Sequence, residues 1–205
     1  MSELSLTDTG LDEEVARAEI YGLLAQLYLA PPSPELLASL RLAVTEAPTS
    51  GAFLEEPWRQ VVGAARARGD AEIADEYDTL FGGVGKPAVM LFGSYHLSGF
   101  LNDKPLAQLR GDLARLGLAR HEGAAETEDH IAYLCEVMRY LIAGDDVVVA
   151  NLTQQQRFFA SHLQPWVERL CDDLAAHPAA IFYGALSGFT RAFMSVEAQG
   201  FDMAG

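Results

Sequence analysis

Apolar residues recur every three or four positions along most of this chain, and prolines and glycines cut that recurrence into lengths suited to helices. Ile20, Leu23, Leu24, Leu27 and Tyr28 share one helical face, which predicts a first helix ending near Ala30, before Pro31, Pro32 and Pro34. Asp12, Glu13 and Glu14 suit its first turn, because acids are favoured at the positive helix end. Ser33-Pro34-Glu35 reads as an N-cap, a first-position proline and a first-turn acid. It opens a second helix carrying Leu36, Leu37, Leu40 and Val44. After a loop over 47–56, Pro57 opens a third with Trp58, Val61, Val62 and Ala65, and a fourth spans about 70–81.

The spacing lapses over 82–95 and resumes with Leu106, Leu109, Leu113 and Leu116. The next helix is expected to start at Thr127, an N-cap followed by the acids Glu128 and Asp129, and to bury Ile131, Leu134, Cys135, Met138, Leu141 and Ile142. Residues 144–150 read as a linker and a candidate hinge, with Val147-Val148-Val149 a strand-like scrap. Two faces close the pattern: Phe159, Leu163, Trp166, Leu170 and Leu174, then Phe182, Leu186, Phe189, Phe193 and Val196. Pro165 inside the first of these predicts a kink, costing about 3 kcal/mol offset by packing. The expected fold is all-α, a single compact helical bundle over residues 1–205 with flexible ends at about 1–10 and 198–205.

Half of the residues are hydrophobic, enough for a sizeable core. Against 14 lysines and arginines stand 29 acids, a formal net charge of −15, which argues against a nucleic-acid partner and permits a cationic one. Cys135 and Cys171 sit at apolar-periodic positions, so buried free thiols and a reducing compartment are expected. The N-terminal stretch lacks the basic and apolar regions of a signal peptide, and no apolar run approaches the ~18 residues of a membrane span. A cytoplasmic address without stable membrane insertion is the expectation.

Chemistry-bearing motifs are few. Gly82-Gly83-Val84-Gly85-Lys86 lacks phosphate-loop spacing and follows a helix, so a helix-ending hinge is preferred and weak GTP binding is an alternative. Glu126 and His130 stand four apart, but no third ligand accompanies them; a metal or small-ligand site there is the other alternative. No nucleophile sits in a recognisable elbow, so the expectation is no enzyme, no catalytic residue, no metal and no cofactor. Capping accounts for Glu128 and Asp129 but leaves His130 unexplained, since an imidazole gains nothing from a positive helix end.

Three blocks together resemble the TorD/DmsD/NarJ-type family of redox-enzyme maturation chaperones. The first is Glu76-Tyr77-Asp78-Thr79-Leu80-Phe81, a glycine-containing loop, then Phe92-Gly93-Ser94-Tyr95. The second is Glu128-Asp129-His130-Ile131-Ala132, and the third is Phe158 through His162-Leu163-Gln164-Pro165-Trp166. Ala88-Val89-Met90-Leu91 stands where the family carries a proline-rich segment. The resemblance implies an all-helical chaperone, monomeric or dimeric, that binds the N-terminal signal, often twin-arginine, of a DMSO-reductase-type molybdoenzyme catalytic subunit until its cofactor is inserted. It implies that Asp129 receives an arginine, with Glu128 beside it, and that His130 and Ser94 bond the peptide. Tyr77, Leu80, Phe81, Phe92, Gly93 and Tyr95 would then form the apolar wall. His162, Pro165 and Trp166 are expected to be structural, because they flank a proline and Trp166 continues an apolar stripe.

Overall fold

The computed structural model describes residues 6–45, 53–82 and 85–204, and of residues 6–12 the backbone alone. Among the described residues there are ten helices: α1 Leu6–Leu29, α2 Pro34–Leu42, α3 Glu55–Ala67, α4 Asp70–Phe81, α5 Gly93–Ser98, α6 Lys104–Arg115, α7 Ile131–Ala143, α8 Leu152–His162, α9 Val167–Ala176 and α10 Phe182–Ala204. None is long and apolar enough to cross a membrane. The all-α expectation holds.

The core forms where α1 lies along α7 and α10 packs on α3 and α9. Tyr21, Leu24, Leu27 and Tyr28 of α1 are fully buried against this interior, as are Cys135, Met138 and Leu141 of α7 and Phe182, Tyr183 and Leu186 of α10. Cys135 and Cys171 are buried free thiols, as their spacing predicts. Ser33 caps α2 through its side chain, with Pro34 at the first helical position, also as predicted.

The first-turn reading of α1 and the kink at Pro165 are corrected. Helix α1 begins at Leu6, so Glu13 and Glu14 lie inside it rather than in its first turn; the Asp12 side chain lies outside the described residues. Residues 198–204 continue α10, with Phe201 buried against Phe159. Pro165 breaks the helix instead of kinking it: α8 ends at His162, a turn follows, and α9 starts at Val167. The indole N–H of Trp166 then donates to the His162 carbonyl at 2.6 Å, filling an acceptor that the break leaves open. Residues 144–150 link α7 to α8, as expected, through a turn closed by Asp146, whose backbone carbonyl accepts from the Val149 and Ala150 N–H groups; the valine run lies in that turn and not in a strand.

Two buried polar clusters tie distant helices, and the spacing of apolar residues carries no trace of either. Arg17 of α1 grips Glu197 of α10 through two bonds of 2.7 and 2.8 Å; Tyr21 also donates to Glu197, and Gln155 of α8 accepts from Arg17. Glu76 of α4 accepts from the backbone N–H groups of Ile181, Phe182 and Tyr183 at 2.8, 3.1 and 2.8 Å, capping the start of α10.

Candidate peptide-binding site

The segment 88–92 reaches the helices beside it through its backbone. Val89 donates to the Leu80 carbonyl, and the Met90 carbonyl receives the Nε2 proton of His96 at 2.7 Å. Leu91 accepts from Ile131, and Gly93 donates to Asp129, each at 2.9 Å, forming an isolated antiparallel bridge between Phe92 and His130. Val89, Met90 and Leu91 are buried, so the non-proline residues at this point serve as an apolar strut.

That bridge delivers Asp129 to the start of α5. One carboxylate oxygen accepts from the Ser94 backbone N–H at 2.8 Å, and the other from the Thr127 hydroxyl at 2.7 Å. The capping prediction is therefore corrected. Helix α7 starts at Ile131, its N-cap is His130, and Asp129 serves a different helix. The imidazole is explained by the same fact. Its Nδ1 accepts from the Ala132 N–H at 3.2 Å, which places the proton on Nε2. Burial lowers the His130 pKa to about 4, so the ring is neutral at physiological pH.

Asp129 faces a cavity of about 300 Å³. Gly93, Ser94 and Leu97 of α5 line it, with Pro105, Gln108 and Leu109 of α6, Leu134 of α7, Ser161 and His162 of α8, and Pro165 and Trp166. Ser94 is fully buried, and its hydroxyl oxygen has no hydrogen-bond partner among the described residues. Trp166 is fixed between its bond to the His162 carbonyl and the His96 ring, stacked at 5.2 Å with planes 16° apart. Gly93 is required by proximity: a Cβ there would lie 3.0 Å from the Trp166 indole nitrogen. His162 donates to Asp112 at 2.9 Å, and burial and nearby Arg115 lower its pKa to about 4, so the ring makes that bond as a neutral imidazole. The lining thus holds one carboxylate and no lysine or arginine.

The expected site residues divide. Gly93, Ser94 and Asp129 meet at the cavity. His162, Pro165 and Trp166 do hold the α8–α9 break, but they line the same cavity. His130 turns away between Phe92 and Tyr133, with ring centroids 5.1 and 5.9 Å distant. Glu128 is engaged by Arg110 through two bonds of 3.0 and 2.9 Å. Tyr77, Leu80 and Phe81 belong elsewhere: Leu80 is fully buried, and Tyr77 and Phe81 pack with Tyr183, Tyr77 donating to the Tyr28 carbonyl. Tyr95 receives the Lys86 ammonium at its hydroxyl, 2.7 Å away, so that lysine is engaged, while Gly83 and Val84 of the glycine loop lie outside the described residues. Glu126 and His130 share no helix face, because α7 begins after both. Leu97, Gln108 and Ser161 were missed; only Ser161, inside the third block, had a motif to flag it.

The sequence model of the family described as nitrate reductase delta subunit matches residues 48–172. Chaperone protein TorD of Vibrio cholerae serotype O1 (strain M66-2) is 25% identical over 197 residues, covering 88% of this chain and 90% of the relative. Chaperone protein TorD of Vibrio atlanticus is 24% identical over 203 residues, covering 89% and 93%. That of Aliivibrio fischeri is 26% identical over 144 residues, covering 65% and 67%.

Proposed function

The chain belongs to the nitrate reductase delta subunit family, and on that premise we propose that it is a non-enzymatic maturation chaperone whose Asp129 cavity holds the N-terminal segment of a molybdenum-containing oxidoreductase precursor. One observation carries the reading. Residues from all three family blocks (Ser94, Asp129 and Trp166) line a single cavity whose only charged group is a carboxylate. Trp166, Leu97 and Leu134 give a guest an apolar bed, Asp129 can accept further hydrogen bonds from a guanidinium, and the Ser94 hydroxyl is unmatched. A twin-arginine signal, cationic at one end and apolar beyond, meets those requirements. A DMSO-reductase-type catalytic subunit in the cytoplasm is the client in this reading.

Ordering a flexible signal costs entropy, so moderate affinity and eventual release are expected. The test is calorimetry of the full chain with a synthetic peptide of the client's N-terminal segment. Asp129→Ala should weaken binding by at least about tenfold, the scale of one lost charge-assisted bond. Equal affinity in a folded Asp129→Ala variant would remove Asp129 from the site, and no heat with any such peptide would remove the reading itself.

A further inference from the structure

A second cavity, of about 590 Å³, opens between α1, α2 and α3 and is floored by Phe189 of α10. It shares no lining residue with the Asp129 cavity. Its walls are mainly apolar: Ile20 and Leu23 of α1, Leu36 of α2, Leu54 and Trp58 at α3. These five are only partly buried, in contrast to Tyr21 and Leu24 on the core side of α1. Val44, on the rim, is exposed. An apolar groove of this kind, which no described side chain covers, marks a binding surface more often than idle surface.

The edge charges point to the guest's sign. Arg139 is paired with Glu136 at 3.1 Å, and Glu55 with Arg59 at 2.8 Å. Glu19 is exposed and makes no hydrogen bond or ion pair with another described side chain. The uncompensated rim charge is therefore negative, on a chain whose formal net charge is −15. A second copy would bring the same field against it, whereas a basic guest is attracted. The guest's backbone is constrained as well. The walls that α1, α2 and α3 contribute spend their amide groups internally, and the Val44 carbonyl is taken by the Trp58 indole N–H at 2.9 Å, so these helices offer a guest backbone few partners. A guest that satisfies its own backbone is a helix.

We propose that this groove docks an amphipathic, basic helical segment of the client polypeptide lying outside its N-terminal segment. The identity of the client rests on the chaperone reading above. With the two cavities built from different residues, one client engages both, and each contact raises the local concentration for the other.

Trp58 and Trp166 are the two tryptophans of the chain, and only Trp58 is reachable by a solution quencher, since Trp166 is 1% exposed. The probe is a synthetic helix-forming leucine-alanine peptide with lysines at one edge of its apolar face, beside a twin with glutamates in their place. The lysine peptide should protect Trp58 of the 205-residue chain from acrylamide quenching, saturably, and the glutamate peptide should bind at least about tenfold more weakly. Glu19→Lys should reverse that preference and Val44→Asp should abolish protection; both positions are exposed, so folding is not at stake. The client subunit lacking its N-terminal segment should also protect Trp58, and the isolated N-terminal peptide should not compete. No protection by the lysine peptide, equal binding of both peptides, protection that survives Val44→Asp, or protection that grows with protein concentration alone would each overturn the proposal. Failure of the truncated client to protect Trp58 would overturn the assignment to the client. N-terminal peptide binding that is indifferent to Asp129→Ala, with the Trp58 results intact, would remove the earlier reading alone.

Discussion

Two buried carboxylates in this molecule each meet a helix start that is distant in sequence. Glu76, 6% exposed, receives three backbone N–H groups from the first residues at α10 and lines neither cavity described above. Asp129, 3% exposed, receives one backbone N–H from α5 and one hydroxyl, and keeps an open side beside the orphan hydroxyl of Ser94. Burial and helix capping are common to both. The difference is spare hydrogen-bonding capacity facing a cavity, which the proposed receptor role of Asp129 requires and a fastening does not.

The sharpest way to break this contrast is Glu76→Ala. It leaves the α10 N–H groups without their acceptor and should cost about 3–4 kcal/mol in chemical denaturation, with Glu76→Gln restoring part of it. A loss under about 1 kcal/mol would mean that Glu76 fastens nothing.

Acid is the next lever, and it acts on the Asp129 side. The His130 pKa is about 4 in the folded chain against an ordinary 6.5, so the unfolded chain binds the proton more readily between those values. Stability should be complete above pH 6.5 and fall as pH drops toward 4, by about 3 kcal/mol from this residue. Urea midpoints at pH 7 and pH 4.5 should converge in His130→Gln relative to the parent; an unchanged slope would place the acid sensitivity elsewhere.

Gly93→Ala presses a methyl group onto an indole already held on two sides and should cost about 1–3 kcal/mol, with a shifted Trp166 emission. The smallest effect expected is the most discriminating. Ser94→Ala deletes an unpartnered buried hydroxyl, so stability should stay level or rise by about 1 kcal/mol while client-peptide affinity falls. A stability loss instead would show that the hydroxyl is satisfied within the fold, and Asp129 would then resemble Glu76.

Much of the fold was legible in the chain, and less of the site. Helix α4 keeps its predicted bounds, and Ser33-Pro34 caps α2 as read, because caps and apolar spacing act within a few residues. The error at Thr127 arose because Thr-Glu-Asp satisfies a local capping rule, while the backbone N–H that donates to Asp129 lies 35 residues away at Ser94. His130 resisted explanation for the same reason in reverse: an imidazole nitrogen that accepts is an uncommon cap, and its neutrality follows from burial that no local rule reports. Tyr77, Leu80 and Phe81 sit in a family block, yet Tyr77 and Phe81 pack with Tyr28 and Tyr183, and Leu80 is fully buried.

By itself the sequence determined which segments are helical, most of their ends, which faces are apolar, and which blocks mark a chaperone family. The helical properties follow from periods of three and four residues and from the fixed conformations of proline and capping side chains, all short-range, whereas the family blocks are legible only by resemblance. Only the tertiary structure decided that Glu76 is spent on α10, that Asp129 keeps an open side, and that Ser94, Asp129 and Trp166 stand around one cavity. A carboxylate's fate depends on which distant N–H groups arrive beside it, and that is settled by how the helices pack.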